Sequence, residues 1–316
     1  MRQSIQLHLT ASVALALLPA LHPEEGGVGR YAPGSIASFV DGTPTLPTVV
    51  TRFNGLYYGG SYDLALPIAG LGPANVDAES YLAGLTLAWR PPIAFPTNFS
   101  YAASITLPYV WVEVSGDVTI NGGTTRRITS QTDALGDLVL APVMLNYGVT
   151  RDFHLDLRGL LYAPTGDYEV GRLANTGKNF WTFSPILGFL YFGQKNGFEA
   201  SVYTGFDFNT ENEDTDYLTG TQFHVDGTLA QHLPLLGGLG GVGVSGFWYD
   251  QISGDSGSGA TFGDFLARTT GVGPVLSYAR KVAGKDLVIE AKWLHEVDTT
   301  RRLEGDYVWL KVVFKF

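Results

Sequence analysis

Three ionisable side chains, His154, Asp156 and Arg158, stand at alternate positions, and Glu290, Lys292 and Glu296 repeat that pattern near the end of the chain. Alternate spacing places such groups on one face of a β-strand. There they can line a polar passage and select or guide a solute; the plainer reading is an inner wall that these charges merely hydrate. Nucleophilic catalysis needs Ser, His and a carboxylate within reach. No G-x-S-x-G elbow and no H-E-x-x-H occurs among the six His and their neighbours. The expectation is therefore no enzyme and no catalytic residue. A hydrolase working through His154 or His224 is the distant alternative. Asn209–Asp216 gathers Glu211, Glu213, Asp214 and Asp216, and oxygen ligands at that density suit Ca²⁺. The segment lacks EF-hand spacing, and it reads as a solvated loop. Ser253–Asp264 reads as a flexible Gly/Ser loop. Gly237–Gly241 lacks the Lys of a phosphate-binding loop and reads as a tight turn. No metal and no cofactor are expected.

The elements that must position these groups carry a period of two, the signature of strands. Phe198, Ala200, Val202, Thr204, Phe206 and Phe208 alternate with Glu199, Ser201, Tyr203, Gly205, Asp207 and Asn209. Phe153, Leu155, Leu157 and Leu161 oppose Asp152, His154, Asp156 and Arg158, and Phe223, Val225 and Leu229 oppose Gln222, His224 and Asp226. Asp286–Val297 is rich in helix formers, yet Leu287, Ile289, Ala291 and Trp293 share one strand face, so a strand is expected there. In all, about twelve strands are expected from Arg52 onward. Asn98–Val114 and Asp137–Thr150 are consecutive candidates, with nothing assigned between them.

Composition says what these strands face. Of 316 residues, 16 % are charged and 40 are Gly, against about 25 % and 7 % in ordinary globular chains. Aromatic residues reach 13 %, Cys is absent and the net charge is −10. The missing Cys excludes a disulfide scaffold or thiolate metal site, and the acidic balance offers nucleic acid no footprint. Few charges and many aromatics suit an exterior that meets lipid. No stretch after the N-terminus is apolar over the length a helical span requires. Strands cross lipid only in a closed sheet. The fold class expected is all-β, a transmembrane antiparallel β-barrel of 12 to 14 strands. Met1-Arg2 followed by the apolar run Ala11–Leu18 and Leu18-Pro19-Ala20 has the layout of a secretory signal peptide. Residues 1–20 are assigned to it, 21–50 to a Pro- and Gly-rich plug or extension, and 51–316 to the barrel. Tyr57, Tyr58, Trp89, Tyr109, Trp111, Tyr147, Tyr162, Trp248, Tyr249, Trp293, Tyr307 and Trp309 are expected as interfacial anchors. Val308, Leu310, Val312, Phe314 and Phe316 form a closing strand of apolar alternation ending in an aromatic, which resembles the outer-membrane assembly signal.

A further resemblance rests on the series Asn179-Phe180-Trp181-Thr182-Phe183-Ser184-Pro185, Phe208-Asn209-Thr210-Glu211-Asn212, Thr215–Gly220 and Phe223-His224. Gly136-Asp137, Ala163–Tyr168, Asp250-Gln251, Gly254–Gly257 and Gly271–Pro274 continue it, and it ends on Phe314-Lys315-Phe316. In order and spacing these resemble the outer-membrane family named for the meta-pathway of phenol degradation, which includes the sphingosine-induced outer-membrane proteins. The resemblance runs from about Glu24 to Phe316. It implies an outer-membrane β-barrel that takes up hydrophobic or aromatic compounds, and it carries over no functional residues. The function expected is a passive channel for small hydrophobic or aromatic solutes in the outer membrane of a Gram-negative bacterium. A structural or lipid-binding barrel without transport is the alternative. Partners expected are outer-membrane lipid and lipopolysaccharide (the acidic loop cation-bridged to the latter), the barrel assembly machinery and the solute itself.

Overall fold

The computed structural model describes residues 29–64, 74–93, 96, 98–120, 124–260 and 266–316. The signal-peptide assignment, residues 1–20, lies outside these residues. Thirteen strands are described: β1 (Thr48–Leu64), β2 (Ala74–Arg90), β3 (Phe99–Ile120), β4 (Thr124–Leu135), β5 (Leu138–Gly148), β6 (Phe153–Ala163), β7 (Thr182–Phe192), β8 (Phe198–Asn209), β9 (Gln222–Leu235), β10 (Gly238–Gln251), β11 (Arg268–Val282), β12 (Lys285–Thr300) and β13 (Glu304–Lys315). All ladders are antiparallel; they join chain neighbours except that β5 pairs with β3 in place of β4, and that β1 pairs with β13 from Val50↔Lys315 to Ser61↔Glu304. Twelve strands thus close into a barrel.

β4 is the thirteenth strand, and it lies between the strand candidates Asn98–Val114 and Asp137–Thr150. The upper half of β3, Tyr109–Ile120, pairs with β4, while its lower half, Phe99–Thr106, pairs with β5. The β3–β4 hairpin therefore stands above the wall. β4 reads TTRRITSQTDAL, polar on both faces, because it has neither a lipid face nor a lumen face to specify. A period-two hydrophobic signal arises only where one face is buried.

The longest described connections gather on one rim and the tightest turns on the other, although β12–β13 on the long-loop rim has only residues 301–303. The β9–β10 and β11–β12 turns have two residues, Leu236-Gly237 and Ala283-Gly284, all at positive φ (48°, 74°, 49° and 79°). That is the type I′ geometry favoured by the right-handed twist of a hairpin. The opposite rim carries residues 164–181, 210–221, 252–260 and 266–267. Short turns on one rim and long loops on the other match an outer-membrane barrel, with the short turns periplasmic.

Alternation maps onto inside and outside. Along β13, Val308 and Leu310 are 43 % and 44 % exposed, while Trp309 and Lys311 are 4 % and 0 % exposed. Asp286–Val297 lies within β12 as a strand, with Trp293 outward and Glu290, Lys292 and Leu294 buried. Trp89, Trp111, Tyr147, Trp248 and Trp293 face outward as interfacial residues should. Tyr58, Tyr249, Tyr307 and Trp309 do not; they are buried on the inner side. Their strand positions have inward parity, and the lumen is filled enough to bury a large ring.

Arginine placed on the lipid face should expose this geometry. Leu310→Arg is expected to cost about 2–4 kcal/mol of unfolding free energy in lipid vesicles. Leu236→Arg, at a periplasmic turn where Leu236 is 84 % exposed, is expected to leave it unchanged. Urea titration of both variants reads the difference.

Candidate functional site: the occupied lumen

Inward strand positions carry buried charges, and residues 30–43 run among them. From Phe39 to Arg30 the segment climbs from the periplasmic rim towards the outer one. At the bottom, a single 3₁₀ turn, Phe39–Asp41, is closed by Ser38 and Asp41 through a reciprocal capping box. Phe39 packs against Phe192 and His232 at ring separations of 5.3 and 5.0 Å. The Phe39 N–H donates to Glu199 Oε1 (2.7 Å), whose other oxygen meets His232 Nε2 at 2.8 Å.

Asp41 is the hub. Lys311 Nζ donates to both its oxygens at 2.8 Å, Arg52 Nη1 donates to Oδ1 at 2.9 Å, and the Ala37 N–H donates to Oδ2 at 2.9 Å. Burial by itself favours the neutral carboxyl, but the cations of Lys311, Lys292 and Arg52 outweigh it and hold Asp41 well below the usual carboxylate range. Above the hub, Lys292 Nζ donates to Gly34 O (3.2 Å), Trp309 Nε1 donates to Pro33 O (2.7 Å), and the Gly34 N–H donates to Asp226 Oδ1 (2.8 Å). Gly34 has φ +81°, and a Cβ there would stand 2.7 Å from Leu294 Cδ1; both facts require glycine. At the outer rim, Arg30 pairs with Asp137 and donates to Phe180 O. Asp137 also accepts the Thr165, Gly166 and Lys178 N–H groups at 2.8 Å, tying the 164–181 loop to the same anchor.

Of the residues singled out from sequence, four meet this segment. Asp156 accepts the Thr43 N–H (2.9 Å) and Arg158 Nε (2.7 Å), and Arg158 also donates to Asp41 O. Glu290 accepts from Ser38 Oγ and lies 3.0 Å from Lys292 Nζ. His154 and Glu296 bind wall residues instead: Nδ1 of His154 lies 3.0 Å from Asn146 Oδ1, and Glu296 accepts from Thr269 Oγ1 (2.9 Å) and the Gly305 N–H (2.8 Å). His224 lies 3.8 Å from Asp207 and 3.9 Å from Asp226, beyond hydrogen-bond distance. Val308, Leu310, Phe314 and Phe316 stand exposed on the outer face. Arg52, Asp137, Glu199, Asp226 and Lys311 also hold the segment, though no motif in the sequence marks them. All but Asp137 have inward parity, which was the available signal. Asp41 had none, because its segment carries no period.

The family model described as "Putative MetA-pathway of phenol degradation" matches residues 59–312. The chain belongs to that family. Among solved structures, an outer membrane channel from Pseudomonas putida F1 is similar at a TM-score of 0.65 and 14 % identity, over 90 % of this chain and 100 % of that one. The β domain of the Bordetella autotransporter BrkA gives 0.47 at 11 % identity, over 86 % and 99 % of the two chains. A FadL homologue from Pseudomonas aeruginosa gives 0.35 at 11 %, over 85 % and 88 %. No curated protein matches the sequence. The fold is that of an outer-membrane barrel.

Removing the hub's charge should strand its cations. Asp41→Asn leaves buried Lys311 and Arg52 without their carboxylate, at an expected cost of about 3–5 kcal/mol, read by urea unfolding. The pH response has a definite sign. A carboxylate held below its unfolded value of about 3.9 contributes its full stabilisation above that pH and loses it only on further acidification. A nitroxide at Ser35→Cys should therefore keep an immobilised line shape from pH 7 down to about 4.

Proposed function

We propose that the protein is an outer-membrane channel for small hydrophobic or aromatic solutes, with residues 30–43 as a plug in its lumen. One observation carries this reading. The lumen is occupied by a segment held through hydrogen bonds and ion pairs to wall groups, among them Lys311, Arg52, Glu290 and Glu199. Polar contacts to a non-covalent insert can be exchanged for water or solute as the insert shifts, whereas an interdigitated apolar core cannot open without unfolding. Family membership supports the same reading.

A lateral way out is supported by the wall itself. The β3–β5 ladder shifts register between Ala102 and Ser104, and the β5–β6 ladder shifts between Leu140 and Val143, where Pro142 sits. Next along, Gly159 faces Pro185, and the β7–β8 register skips Ser184 and Pro185. Proline gives no ladder hydrogen bond, so five neighbouring strands, β3 and β5 to β8, are weakly joined at one level. In this mechanism solute enters the outer mouth, shifts the plug and leaves through that seam or below it. His154, Asp156, Arg158, Glu290, Lys292 and Glu296 act by holding the wall and plug in register. The outward series Val308, Leu310, Val312, Phe314 and Phe316 serves barrel assembly.

Because the chain contains no Cys, Ser38→Cys with Glu290→Cys makes a single pair that can tie plug to wall. In liposomes, the oxidised protein should pass none of a panel of hydrophobic solutes, and reductant should restore uptake. Absence of uptake in the reduced state across the panel would refute the channel reading.

A further inference from the structure

Tyr31, near the outer end of the plug, is a small molecule on a tether. Its ring stacks on the His224 imidazole at 4.1 Å and 16°, and runs parallel to the Tyr249 ring at 5.9 Å and 2°. Its hydroxyl donates to Asp226 Oδ2. Asp226, Tyr249 and Ala267 are each at most 1 % exposed, so the slot is dry. The wall also offers more hydrogen bonding than Tyr31 uses. Asp207 Oδ2, His224 Nδ1 and both amide atoms of Gln222 are buried without a hydrogen-bond partner among the described residues. They adjoin one another, since Asp207 pairs with Gln222 and Gly205 pairs with His224 across β8 and β9. Leaving such groups unpaired is costly, which marks a wall shaped for polar contact.

Resting on the channel reading above, we infer that this slot is the cargo's binding site and that its ligand is a planar aromatic bearing a hydroxyl group, which enters by displacing Tyr31. The chemistry selects that class. Asp226 Oδ1 already accepts the Gly34 N–H (2.8 Å), so Oδ2 needs a donor. A hydroxyl supplies one. An unsubstituted ring leaves a buried carboxylate unpaired, and a site built to hydrogen-bond a substrate hydroxyl rejects the analogue lacking it. An ionised aromatic acid meets the carboxylates of Asp226 and Asp207. Displacement has a mechanical consequence. Tyr31 and Gly34 share Asp226, so a ligand that takes Oδ2 loosens the upper plug between its Arg30 and Pro33 anchors. Asp207 and Gln222 are then at hand for a second polar substituent.

The test uses p-cresol, which has the tyrosine side chain's own atoms, with toluene and 4-methylbenzoate as controls. Ala32→Cys creates a unique thiol beside Tyr31. In proteoliposomes, p-cresol should accelerate its reaction with a membrane-impermeant maleimide saturably, by about tenfold (1.4 kcal/mol), and neither control should do so. Adding Tyr31→Phe weakens the tethered competitor, so half-maximal acceleration should move to lower p-cresol concentration. Unchanged labelling with p-cresol, equal acceleration by toluene, or no shift in the Tyr31→Phe background would each overturn the proposal. Uptake measured on the same liposomes separates the two readings. Uptake of p-cresol with unchanged labelling refutes the slot alone, and no uptake of any solute refutes the channel.

Discussion

Closure of the hydrogen-bond ladder between β1 and β13 is the constraint from which the rest follows. In hydrocarbon an unpaired strand edge leaves a row of N–H and C=O groups with no partner. Twelve strands therefore join end to end, from Val50↔Lys315 to Ser61↔Glu304 at the seam. Closure divides every strand into an outward and an inward series. The outward one can be apolar throughout, because acyl chains ask nothing more. The inward one encloses a space too wide for side chains alone to fill, and that space holds Glu199, Asp226, Glu290, Lys292 and Lys311, all buried.

Such charges are a poor source of net stability, since desolvation consumes most of what their attraction returns. Their value here is positional. Asp41 meets Lys311 and Arg52, Ser38 meets Glu290, the Phe39 N–H meets Glu199 and Pro33 O meets Trp309. Each contact fixes one residue of the luminal segment at one height. The segment and the wall complete one another's hydrogen bonding, which is why an aperiodic, Gly- and Pro-rich stretch has a defined path.

How much of this was legible in the sequence depends on whether a face was buried. The β8, β9 and β13 alternations gave parity residue by residue, and Asp156, Arg158, Glu290 and Lys292 could be placed inside before their partners were known. β4 escaped notice because both its faces are polar and it stands clear of the barrel. Tyr58, Tyr249, Tyr307 and Trp309 passed for interfacial anchors because aromatic type says nothing of depth or side, although their parity did. Asp41 carried no signal, for its environment is made by Lys311, 270 positions away. Pairings at that separation exist only once the ladder has closed.

The outer face of the ribbon meets lipid and the inner face meets the chain's own polar segment. Nitroxide scanning of residues 307–314 in liposomes tests it most directly. High oxygen accessibility is expected at residues 308, 310, 312 and 314, and low accessibility to both oxygen and a water-soluble nickel chelate at residues 307, 309, 311 and 313. Uniform accessibility along the strand, or chelate access at the even positions, would contradict it.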